Sequence, residues 1–147
     1  MYLASEASKR VAGYDPASQR VVWTFDVGQE GTHMILASRD GAKLFTSNMG
    51  SNSIGLLERG AGGEWSQKLI PVGAGPEGLD LSPDGRALWS AHSRDGGISI
   101  VDTPSGKVTH TFDANTQRSN RLKFTPDGKH VLVSGLTCGE LVVLGAA

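Results

Sequence analysis

The stretch Val72-Gly73-Ala74-Gly75-Pro76-Glu77-Gly78-Leu79-Asp80-Leu81-Ser82-Pro83-Asp84-Gly85-Arg86-Ala87-Leu88-Trp89-Ser90 places short apolar runs on either side of an Asp-Gly pair. Asp-Gly between such runs signals a tight hairpin, because glycine accepts a positive φ and the aspartate side chain bonds the local backbone. The pair recurs at Asp40-Gly41, 44 residues earlier, and at Asp127-Gly128, 43 residues later. Its surroundings recur too. Ser38-Arg39, Ser82-Pro83 and Thr125-Pro126 precede the three turns, and Phe45, Trp89 and Leu132 stand five residues after each aspartate. Fourteen residues after each aspartate come Ile54, Ile98 and Leu141. One period before Ile54 lies Val11, so a fourth, truncated copy opens the chain.

Within one copy, apolar runs are bounded by Gly, Asn, Asp, Ser and Pro, the pattern of strands and turns. Four strands a to d per copy are expected at 33–38, 43–48, 53–58 and 64–72, then at 78–82, 87–92, 97–102 and 107–113. The last copy supplies 121–125, 130–135 and 139–144, and the first supplies 2–6, 10–15 and 20–27. No window keeps a helical period free of Gly or Pro, so no helix is expected. Consecutive apolar residues at Leu44-Phe45, Leu88-Trp89 and Val131-Leu132-Val133 imply sheets covered on both faces. Antiparallel four-stranded units with a 43- to 44-residue period, each covering the next, describe an all-β fold: a β-propeller fragment of about 3.5 blades. On this reading 1–147 is a single partial propeller. Residues 1–32 form a blade lacking its inner strand, 33–72 and 78–113 form whole blades, and 121–147 form a blade lacking its outer strand. A two-sheet sandwich is the alternative, but it gives no reason for a fixed period.

Lys and Arg total 14 against 15 Asp and Glu, a formal charge of −1. That balance removes the electrostatic argument for nucleic acid or an anionic membrane as partner. No apolar run approaches the roughly 18 residues of a membrane-crossing helix, and no basic leader with an apolar stretch can be read as a signal peptide. The single cysteine, Cys138, can form no internal disulfide and offers no cysteine-based zinc site. It reads as an incidental thiol in a b-to-c loop with no base near it in sequence.

The Val72–Ser90 stretch resembles the YVTN-type β-propeller repeat, in which Val-Gly, Pro-x-Gly and Ser-Pro-Asp-Gly lead into a strand ending in Ala-Asn or similar. Ser47–Ile54 and Val101–Val108 are similar to later parts of the same repeat, so the resemblance covers essentially the whole chain. It implies a seven-bladed ring of about 300 residues at this period, of which this chain would be half. Self-association through the open sheet edges is the other expectation. Similar repeats occur in exported binding proteins, surface-layer-like proteins, lactonase-like propellers and redox propellers. The resemblance therefore implies a periplasmic or extracellular parent protein, although this segment carries no address of its own, and it does not decide a function.

Successive hairpins turn at alternating ends, so the d-to-a and b-to-c loops share one face, opposite the Asp-Gly turns. His33, Glu77 and Asn120 occupy one column of that face, seven residues before each turn aspartate. In resembling propellers this entry to strand a lines the central channel. With Arg121, His92 and Asn48 they are the channel-mouth binding candidates. Turn chemistry explains Asp40, Asp84 and Asp127, and the column Asp15, Glu58 and Asp102 is expected to form turns as well. No metal site or cofactor is assigned, since no spacing is diagnostic of either. Gly73-x-Gly75-x-x-Gly78 is not followed by a helix, and Asp80-x-Ser82-x-Asp84-Gly85 lacks the final glutamate of a calcium loop. The expected function is a non-catalytic module binding a small molecule or protein on the loop face. The alternatives are a lactonase-like hydrolase, with His33 as base and Arg121 or a bound cation as electrophile, and a redox propeller serving a haem or quinone partner. The last lacks a Cys-x-x-Cys-His attachment site.

Overall fold

The computed structural model describes residues 1–137 and 139–146, so Cys138 lies outside the described residues. Among the described residues there are fourteen strands and no helix, and the strands pair in chain order within four sheets, each antiparallel to its neighbours. The first sheet is β1 (Tyr2–Ser5), β2 (Arg10–Asp15) and β3 (Arg20–Asp26). The second is β4 (Thr32–Ala37), β5 (Lys43–Asn48), β6 (Ser53–Arg59) and β7 (Trp65–Pro71). The third is β8 (Pro76–Leu81), β9 (Ala87–His92), β10 (Gly97–Asp102) and β11 (Lys107–Asp113). The fourth is β12 (Ser119–Phe124), β13 (His130–Gly135) and β14 (Leu141–Gly145).

The Asp-Gly hairpins close identically. Asp40 Oδ1 accepts the Ser38 hydroxyl at 2.6 Å and the Ala42 N–H at 3.0 Å. Asp84 does the same with Ser82 and Arg86, and Asp127 with Thr125 and Lys129. These bonds hold the three carboxyls below the ordinary value of 3.8. The turns are therefore locked above that value and release only as pH falls through the lowered ones. Asp15 and Asp102 close the c-to-d turns by accepting from Ser18 and Ser105. Glu58 departs from the expectation. There β6 continues to Arg59, the reversal is carried past it by Gly60 and Gly63, and Glu58 instead pairs across the ladder with Lys43 at 2.9 Å.

Side chains alternate across each strand, so each sheet offers an apolar face to the sheet beside it, and among the described residues the interior divides into three cores. Val11, Leu44 and Leu57 pack between the first and second sheets, with Trp23, Trp65 and Tyr2 against them. Phe45, Ile54, Leu56, Leu79, Leu88 and Val101 fill the second gap. Trp89, Ile98, Leu122, Phe124 and Val131 fill the third, where Trp89 meets Phe112 and Phe124 edge to face. The sheets adjoin in turn through their first strands: β1 lies against β4, β4 against β8, and β8 against β12. Gly78 makes room for the last of these approaches. A Cβ there would stand 2.5 Å from the Asn120 carbonyl oxygen and 3.0 Å from Arg121 Cα. Asp80 ties the same two strands, accepting the Phe124 N–H at 2.8 Å.

Candidate functional site

One irregularity repeats in the last three sheets. Thr32 faces Asn48 and Met34 faces Ser47, skipping His33; Pro76 faces His92 and Gly78 faces Ala91, skipping Glu77; Ser119 faces Gly135 and Arg121 faces Ser134, skipping Asn120. Each inner strand thus carries a β-bulge at its first turn of the ladder, and a bulge re-aims the extra side chain out of the regular alternation. The column found in sequence is a column of bulged residues, all delivered to the same rim.

Those residues meet. Glu77 Oε1 accepts Asn120 Nδ2 at 2.6 Å and Arg121 Nη1 at 2.7 Å, and His33 Nε2 lies 3.9 Å away. Arg121 Nη2 reaches His33 Nε2 at 3.3 Å, while His33 Nδ1 is bonded to Glu6 Oε1. A guanidinium only donates, so Nε2 must accept, and the ring proton sits on Nδ1 facing Glu6. Glu77, with 12% of its side chain exposed, is the hub. Four sheets therefore each supply a member of one circuit: Glu6 from the turn after β1, His33 from β4, Glu77 from β8, and Asn120 with Arg121 from β12. Glu6 was not among the six sequence candidates. Its signal was its place in a b-to-c loop on the same face as the column.

Asn48 and His92 are not brought to the circuit. Both are fully buried at the ends of β5 and β9, one repeat apart. Asn48 is satisfied there: its Oδ1 accepts from Thr32 and Thr46, and its Nδ2 donates to Ser53. At the matching places around His92 stand Pro76, Ser90 and Gly97, and among the described residues neither ring nitrogen finds a hydrogen-bond partner. Asp95 Oδ1 lies 3.2 Å from Nδ1. Burial pushes the imidazole below its ordinary 6.5, and the nearby carboxylate only partly restores it. The unfolded chain then binds a proton that the folded one refuses. This contribution to stability is complete above pH 6.5 and is lost as pH falls below it toward the lowered folded value. Denaturant titrations on either side of that value are expected to show the acid loss, and His92→Asn, which repeats the residue of the second sheet, to flatten it. An unchanged acid limb in the variant contradicts the assignment.

Antiparallel sheets of three or four strands packed one against the next, with bulged residues converging on one mouth, define an arc of a β-propeller. Solved structures agree on the fold. The chain superposes on hydrazine synthase of Kuenenia stuttgartiensis with a TM-score of 0.89 at 22% identity, covering 98% of this chain and 42% of that one. The Cps50 (Swd1) β-propeller domain of Myceliophteria thermophila gives 0.77 at 9% identity, over 95% and 48%. A 6-phosphogluconolactonase-like protein of Bacteroides uniformis gives 0.75 at 18%, over 92% and 46%. The chain spans less than half the length of each. No protein-family model matches it, and no curated protein does.

Proposed function

We propose that this chain is a ligand-binding propeller module whose mouth, built by Glu6, His33, Glu77, Asn120 and Arg121, takes a small molecule without transforming it. The observation that carries this reading is the single circuit to which every sheet contributes. Groups held by different sheets cannot be aligned by any one local turn, and their convergence on the largely buried Glu77 side chain prepays the ordering that a ligand would otherwise impose. The test is to titrate organic acids, sugars and amines separately into the protein, following the melting temperature and the His33 ring signals by NMR. At least one is expected to raise the first and move the second, with Glu77→Gln weakening it about tenfold. A panel in which none does so overturns the proposal.

One observation favours a hydrolase as the second reading. His33 is oriented by Glu6 and turns a lone pair toward Arg121, the arrangement of a carboxylate-positioned base beside a group able to polarise a carbonyl. The same samples are therefore to be incubated with δ-valerolactone. The binding proposal expects no ring opening above the buffer rate, and turnover abolished by His33→Gln would replace it with the hydrolase.

A further inference from the structure

Resting on the binding reading above, we infer that the ligand is a small organic acid with an apolar body, its carboxylate on Arg121 and Lys123 and its hydrocarbon in the hollow beside the mouth. This hollow, of about 370 Å³, is walled by Met34 and Leu36 of the second sheet, Leu79 of the third, and Leu132 and Leu141 of the fourth. Among the described residues its polar lining consists of Arg121, Lys123 and Ser134, with no carboxylate. The two cations come from one strand. Residues two apart on β12 share a side, so Arg121 and Lys123 project together while Leu122 turns into the core between them.

Each cation is held from behind by a carboxylate of β8. Arg121 Nη1 bonds Glu77 at 2.7 Å, and Lys123 Nζ bonds Asp80 Oδ1 at 2.7 Å. Asp80, with 9% of its side chain exposed, is itself fixed by the Phe124 N–H. These bonds position the cations without exhausting them, since a guanidinium has five N–H donors and an ammonium three. Spare donors beside an apolar wall are matched by a carboxylate, which accepts charge-assisted bonds more strongly than a neutral oxygen does. A cationic head would face the charges of Arg121 and Lys123, and a neutral one would accept only the weaker bonds of an uncharged acceptor.

Calorimetric titration of the full chain with sodium octanoate, octylamine, 1-octanol and sodium acetate tests this, with the His33 ring signals read in parallel. Octanoate is expected to bind and the other three to bind about tenfold more weakly or not at all. Arg121→Gln and Lys123→Gln are each expected to weaken octanoate about tenfold. Leu141→Asp, at an exposed position whose change spares the core, should do the same by repulsion. Octanoate and octylamine binding alike, or octanoate binding untouched by Arg121→Gln and Leu141→Asp, overturns the inference. The mouth reading survives that result if another small molecule still moves His33. If none does, both fall.

Discussion

Phe45→Ala is expected to lower the stability of the fold by about 3–5 kcal/mol, read from urea denaturation. Phe45 is 1% exposed and occupies the gap between the second and third sheets with Ile54, Leu56, Leu79 and Leu88. Truncation forfeits the transfer of the ring and leaves a void whose walls belong to two separate ladders. Neither wall can close on it without breaking strand register, so little of the cost is recovered. The loss should also be local, because each gap has its own core and repeat architectures couple mainly nearest neighbours. Amide exchange is expected to quicken in β5, β6, β8 and β9 more than in β2 or β14. A cost below about 1 kcal/mol would contradict the packing described for this gap.

Gly78→Ala is expected to cost about 1–3 kcal/mol and to disturb the mouth at the same time. The added methyl meets backbone of β12, the Asn120 carbonyl and Arg121 Cα, instead of a side chain that could rotate away. The third and fourth sheets must separate locally, which pulls Arg121 from Glu77 and weakens the Asp80 tie. Gly145→Ala supplies the contrast, since a Cβ there meets nothing within 4 Å, and its cost should stay within about 0.5 kcal/mol. Equal melting temperatures for the two variants would show that the two inner strands are not in the close contact described.

The period of Asp-Gly turns made the strands and their order legible, because each turn is closed by its own aspartate and needs nothing from the rest of the chain. The mouth was legible to the extent that it repeats: His33, Glu77 and Asn120 fall in one column, and the bulge that turns them outward is part of the repeat. Asn48 and His92 lie one position inside the same rim, where only the register decides that they point inward. Glu58 was misread because two glycines beyond it move the reversal, a change in spacing that residue type alone does not reveal. Nothing local to β12 marks Lys123. Its role depends on Asp80 of the neighbouring sheet, a contact set by how sheets stack.

The bulge separates two jobs within a single strand. On β4 the residues that keep the alternation are committed to the cores on either side, Ile35 to one and Met34 and Leu36 to the other, so exchanging one is felt by a whole sheet boundary. The skipped residue belongs to neither core. Histidine, glutamate and asparagine occupy that place in three sheets whose ladders are otherwise alike. The fold thus provides one freely editable letter per repeat, and rewriting those letters would give the same scaffold a different chemical taste.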